Sequence, residues 1–470
     1  MNNKSLVLIF AFLGACMSLA TAQVEEPDES EIQFIDLSVE PEDVATRRLS
    51  RKRLRTHWNI RKAMADPLAY YKLSLDNPKE ELYLYLDSLY LFEKLDTLSI
   101  VRKKMDRFTT SIAKLKLKKV SLSYNDFDQI PAVIYQIPSL QFLEMKSNQV
   151  DSITAEIGNL EQLVELSMYN NKIHHLDSEI AKCQQLEKLD LRDNYIGRLP
   201  DALGQLKKLK HLYLANNALV DFPPPNLRLD AVEQLILGGS ISYRAWDTLR
   251  LENGQVLARS DSMHLTDDIV QLPRLEYLRI MACEKAKLSE KLFDLPSLKT
   301  IVLYYVDTGN AFFERMLRAS QLEKIEMSGY IDSIPSDLSQ MQNLKHLELS
   351  STKIRHLPSS LYELKQLKQL LLPGCRVQEV SEEIVQLRNL EKLDLKKNKL
   401  RKLPENIGEM KSLRRLQLRD NQLTELPASI TQLKELIYID ISGNPMTKEY
   451  ILALKQMLPN TNVFVGKWPD

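Results

Sequence analysis

Residues 390–412 and 413–435 repeat one arrangement of apolar and polar positions at equal length. Leu390, Leu393, Leu395, Asn398, Leu400, Leu403, Ile407 and Met410 are answered by Leu413, Leu416, Leu418, Asn421, Leu423, Leu426, Ile430 and Leu433. Leu393 and Leu395 alternate with the period of a strand, so both face one side and their neighbours face the other. Asn398 falls where the chain must turn away from that strand. A buried asparagine both donates and accepts, so stacked asparagines can pair backbone groups that the turn exposes. Ile407 and Met410 return at helix-like spacing on the outer side. One such coil cannot enclose its own leucines. A stack of them can, which predicts an α/β solenoid, a curved horseshoe with a parallel sheet on its concave face.

The same pattern runs through most of the chain. It begins near Tyr70, with Leu73 and Leu75, and restarts at Leu95, Leu117, Leu140, Leu163, Leu186, Leu209, Val232, Leu275, Leu298, Leu322, Leu344, Leu367, Leu390, Leu413 and Leu436. Most intervals are 23 residues. The 43 residues from Val232 to Leu275 break the rhythm. Their end, Leu265 to Leu272, matches the second half of a repeat. That suggests a short coil followed by a degenerate coil from about Leu251, the alternative being one coil with a long convex loop.

These segments resemble leucine-rich repeats of the Ras-group-related type, which is shared by plant and many bacterial proteins. The motif L-x-x-L-x-L-x-x-N-x-L carries the resemblance. Leu199-Pro200, Leu357-Pro358, Leu403-Pro404 and Leu426-Pro427 mark the subtype, as do Ile130-Pro131 and Ile334-Pro335 with isoleucine. Thr154, Asp177 and Ser381 replace the proline. The resemblance implies a protein-binding scaffold and names no pathway.

The flanks divide the chain further. Residues 1–22 have the layout of a secretory signal: Lys4, an apolar run from Leu6 to Ala15, and Ala20-Thr21-Ala22 before Gln23. Leu13-Gly14-Ala15-Cys16 also resembles a lipobox, so a lipoprotein anchored at Cys16 ranks second. Export to the periplasm, cell surface or medium is expected. Residues 23–69 form an acidic, then basic, leader and N-terminal cap. A basic arm for nucleic acid is the rival there, but the acidic stretch beside it would neutralise it, so no nucleic-acid partner is expected. Repeats occupy 70–446, with the irregular insert at about 238–270. Residues 447–470 read as a helix and short strand capping the last coil.

Charge adds little direction, since 63 basic side chains meet 63 acidic ones. The sequence carries no Gly-rich phosphate loop, G-x-S-x-G, H-E-x-x-H or C-x-x-C. His211 and His346 share a column of the sheet but lie several coils apart, too far to share a metal. Asp190 beside Glu165 is a carboxylate pair of the kind any charged solenoid offers. No catalytic, cofactor or metal residue is therefore assigned, and the expectation is a monomeric protein that is not an enzyme. Cys183, Cys283 and Cys375 remain after signal removal. Cys283 and Cys375 occupy the asparagine position about 19 Å apart by strand spacing, beyond disulfide reach, and read as buried structural thiols. The absence of any N-x-[ST] after residue 22 favours a bacterial source.

Function is best sought on the concave face. Its ends carry charges, among them Lys119, Glu144, Glu187 and Arg192. Its centre carries Tyr213, Ile236, Tyr277, Met281, Val302, Tyr304 and Tyr305, with Tyr277 and Met281 expected beside Val302 and Tyr304 of the next coil. Large apolar groups exposed together mark an interaction site, and tyrosine is common in binding hot spots. A protein or peptide ligand is the leading expectation. The plainer reading is that the insert folds over these residues. Basic residues Lys396, Lys397, Arg414, Arg415 and Arg419 offer a different surface, for an anionic glycan or lipid headgroup, unless they are an ordinary solvated face.

Overall fold

A computed structural model describes residues 55–467, except 58–59, 76–84, 240–247, 251–255, 259–261, 284–285 and 308. The signal, the lipobox at Cys16 and the acidic leader lie outside the described residues. Among the described residues, eighteen strands form one parallel sheet. It runs from Arg55–His57 through Tyr70–Leu75 and one strand per coil to Tyr438–Asp440 and Asn462–Phe464. Equivalent repeat positions are in register: Gln369, Lys392, Arg415 and Tyr438 form one row, and Leu370, Leu393, Leu416 and Ile439 the next. The leucines of the second row are fully buried. Stacking thus supplies the core that a single coil lacks.

The outer side of most coils is a 3-10 turn of three to five residues, such as Asp201–Gln205 after Pro200 or Ala428–Gln432 after Pro427. Each is too short for α-helical hydrogen bonding to become worthwhile, and the tighter turn keeps the coil narrow. Coil closure at the other end rests on asparagine. Asn171 donates from Nδ2 to the carbonyls of Met168 in its own coil and Met145 in the preceding one, each at 2.9 Å. Its Oδ1 accepts the N–H of Val150 at 3.1 Å. Asn125, Asn148, Asn194, Asn217, Asn398, Asn421 and Asn444 repeat the Nδ2 contacts to both coils. The residue before each is left-handed, as at Asn170, Asp193, Lys397 and Asp420, with glycine in that role at Gly443.

The middle coils lack the asparagine, and there the strands lengthen. Three-residue strands such as Lys188–Asp190 give way to Gln234–Gly238, then to the seven-residue Tyr277–Cys283 and Thr300–Val306, then to Lys324–Ser328 and His346–Ser350. Their β-branched and aromatic residues favour continued strand, and no side-chain amide pulls the backbone into a turn. Cys375 stands in the asparagine position and donates from Sγ to the Leu349 carbonyl at 3.1 Å, imitating the missing amide. Cys183, Cys283 and Cys375 are buried and unbridged.

The irregular interval adds one coil to the sheet, and no strand of a degenerate coil from Leu251 enters it among the described residues. Gln234–Gly238 pairs directly with Tyr277–Cys283, Gln234 opposite Tyr277 and Gly238 opposite Met281, which leaves no room for an intervening strand. On the outer side Asp221–Phe222 pairs with His264–Leu265. The extra residues leave after the concave strand, and Thr248–Arg250 and Val256–Ala258 form an antiparallel pair. Gly238 marks the departure with φ +96°, and a Cβ there would lie 2.2 Å from the Met281 carbonyl oxygen. At the far end Thr447 caps the helix Lys448–Met457 by accepting the Tyr450 N–H, and Asn462–Phe464 adds the last strand.

If the asparagine ladder closes the coils, Asn398→Ala and Asn421→Ala each lower stability by about 1–3 kcal/mol, the cost of leaving buried backbone groups unpaired. Urea unfolding followed by circular dichroism reads this directly. Unchanged curves for both variants would remove the ladder as the closing element.

Candidate functional site

Side chains between the leucines stand on the concave face in three columns fixed by register. One column runs His211, Gln234, Tyr277, Thr300, Lys324, His346. The next runs Tyr213, Ile236, Arg279, Val302, Glu326, Glu348. The third exists only where strands are long: Gly238, Met281, Tyr304, Ser328, Ser350. Absence of the asparagine turn therefore widens the concave face at its centre.

Six of the seven central residues expected at an exposed patch remain accessible. Tyr213, Ile236, Tyr277, Met281 and Tyr304 are half-buried, and Tyr305 is 44% exposed. Val302 is the exception at 2%, covered on the concave face by its neighbours. Its lateral partners are Arg279 and Glu326. Both are longer and both engage Tyr304, so the short valine lies beneath their network. The expected pairing of Met281 with Tyr304 holds, whereas Tyr277 is opposite Thr300 and Val302 is opposite Arg279. Tyr305 adopts a left-handed φ of 56°, as does the exposed Tyr124 before Asn125, so that conformation belongs to the coil and is no special strain.

The tyrosines are held by polar partners. The Tyr213 hydroxyl donates to Gln234 Oε1 at 2.9 Å. Arg192 stacks over its ring at 5.4 Å. Arg192 is itself gripped by the buried Asp190 through two hydrogen bonds of 2.9 and 2.8 Å. Burial pushes the Tyr213 hydroxyl up to about 12. On the other flank Arg279 lies over the Tyr304 ring at 5.6 Å, and the Tyr304 hydroxyl donates to Glu326 Oε2 at 2.6 Å. Burial alone would raise Glu326, but the neighbouring His346, Lys324 and Tyr304 prevail and hold its carboxyl at about 2. Burial would lower His346, but the facing Glu326 and Glu348 carboxylates hold it above its usual value.

Sequence reading missed Arg279, Glu326 and Glu348, and compared His346 only with His211. Counting from each repeat start would have found them, because Glu326 and Glu348 occupy the same coil position one repeat apart. The basic residues do not form one free surface. Lys396 pairs with Asp394 at 3.4 Å and Arg419 with Asp420 at 3.2 Å. Lys397, Arg414 and Arg415 are exposed.

A leucine-rich repeat model matches residues 161–219 and 386–446. No curated protein sequence matches the chain significantly. Among solved structures it is similar to a leucine-rich repeat protein of Leptospira interrogans, at 26% identity and TM-score 0.60, over 87% of this chain and 99% of that one. It is also similar to an internalin of Listeria monocytogenes (18%, TM-score 0.50, 76% and 90%). Toll in its complex with Spätzle, from Drosophila, is a third (16%, TM-score 0.57, 83% and 53%).

The two classes of concave residue should separate on mutation. Val302→Ala removes buried methyl groups and lowers stability by about 1–2 kcal/mol. Tyr305→Ala stays within about 0.5 kcal/mol of the parent. Denaturant midpoints of the two variants check the assignment.

Proposed function

We propose that this chain, a leucine-rich repeat protein, is an exported, non-enzymatic scaffold that binds another protein or a peptide on its central concave face. One observation carries the reading. Tyr213, Ile236, Tyr277, Met281, Tyr304 and Tyr305 lie on consecutive, registered strands and retain accessible surface. Apolar surface of this kind, gathered in one place, is what a partner buries. The flanking charged groups strengthen the reading, because Asp190, Arg192, Arg279 and Glu326 are engaged in fixing the rings. Pre-oriented tyrosines lose little freedom on binding, and that favours affinity. Toll, to whose fold this chain is similar, forms a complex with Spätzle.

The rival surface, an anionic glycan or lipid headgroup on Lys396, Lys397, Arg414, Arg415 and Arg419, is weakened by the pairing of two of these five to carboxylates. Binding partners captured from the native envelope or medium decide between the surfaces. Tyr277→Ala and Tyr305→Ala should each weaken capture by about 2 kcal/mol, with little dependence on salt. Loss of capture on raising salt, and none on removing the tyrosines, would transfer the site to the basic coils.

Export has its own measurement. Mass spectrometry of the exported protein should find Gln23 at the amino terminus and no Cys16. An acylated Cys16 would replace the soluble form by a membrane-anchored one.

A further inference from the structure

We propose that Glu326, His346 and Glu348 bind a divalent transition-metal ion of the zinc class on the concave face. His346 Nε2 lies 3.3 Å from Glu326 Oε1 and 3.7 Å from Glu348 Oε2. Ligand atoms of all three residues lie within 4.8 Å of one another. Zinc bonds of roughly 2.0–2.2 Å place tetrahedral ligand atoms about 3.3–3.6 Å apart. The distances to His346 are already close to that spacing, so small side-chain rotations complete the geometry. Once the ion replaces the Nε2 proton, a neutral imidazole and two carboxylates balance the charge of a dication.

The sheet sets this convergence. Glu326 and Glu348 are opposite each other on adjacent strands, and His346 precedes Glu348 by two residues, on the same face. The ligands are therefore carried by rigid strands rather than by a loop.

A second observation points to an ion. His346 Nδ1 lies 3.1 Å from Gln369 Oε1, an atom that can only accept, so Nδ1 carries a hydrogen. Nε2 is shielded from solvent and has no hydrogen-bond partner of good geometry, although it faces two carboxylates. A metal ion satisfies that nitrogen and both oxygens together. Outer contacts of the kind that orient metal ligands are present as well: Gln369 on His346, and the Tyr304 hydroxyl on Glu326.

Lys324 is the local competitor. Its Nζ lies 2.8 Å from Glu326 Oε1, the same oxygen that faces His346. An ammonium and a dication cannot both keep that oxygen. The lysine side chain is 40% exposed and has water to move into. Three protein ligands would leave a fourth coordination position for water or another ligand atom. The site goes beyond the partner reading and does not depend on it, since metal binding is measured with no partner present.

The test uses the purified chain without an affinity tag, stripped with chelator and titrated with Zn²⁺ alone by calorimetry. Co²⁺ titration by visible absorption reports coordination geometry. Expected are one Zn²⁺ per chain at micromolar affinity or tighter, and the intense bands of tetrahedral Co²⁺. His346→Ala and Glu348→Gln should each weaken binding at least about tenfold, and Gln369→Leu about tenfold. Lys324→Met should tighten it by removing the competing cation. Absence of stoichiometric Zn²⁺ binding overturns the proposal, as does equal affinity in His346→Ala and Glu348→Gln. If those ligand variants fail to fold, Lys324→Met decides: tighter binding supports the site, unchanged or weaker binding refutes it.

Discussion

Each regular coil depends on a side-chain amide that pairs backbone groups from two coils at once. Where the chain turns out of the sheet, its carbonyls lose their strand partners, and burying them unpaired costs about 1–3 kcal/mol each. Asn171 meets this by donating to Met168 and Met145 while accepting from Val150. The same amide therefore closes a coil and ties it to its neighbour. Leucine burial supplies the driving force for stacking, but the amide sets where the strand ends and hence how wide the concave face becomes.

At the centre of the solenoid that constraint is lifted. Cys283, Val306, Tyr330 and Thr352 stand where asparagine would. The strands from Gln234 to Ser350 run on for five to seven residues and pair with each other instead. A third column of side chains results, bringing Met281 and Tyr304 onto the surface beside Arg279 and Glu326. The insertion leaves the sheet at the same place, after Gly238. The widened surface and the Glu326–His346–Glu348 cluster thus share the long strands, because one local rule is relaxed there.

Charged residues in this region act mainly on their neighbours. Asp190 holds Arg192, which covers Tyr213, and Glu326 joins Tyr304 to His346. These bonds limit ring motion and keep the carboxylates close together. Exposed pairs elsewhere, such as Lys299 with Glu276, contribute little stability by comparison.

The repeat, the strand register and the buried leucines were legible in the sequence because each coil repeats the same local chemistry, and Asn398 announces its turn without knowledge of any other residue. The central tyrosines were legible for the same reason, as departures from a counted pattern. Three things were decided by the tertiary structure. Val302 is covered because Arg279 and Glu326, from two other coils, lie beside it. The interval after Val232 adds one coil because Gln234 finds Tyr277, a pairing 43 residues away that periodicity alone leaves ambiguous. Glu326, His346 and Glu348 form a cluster because the sheet brings two coils within reach of each other. Periodicity assigns a residue to a face, but the distances between its side chain and those of other coils arise only when the coils stack.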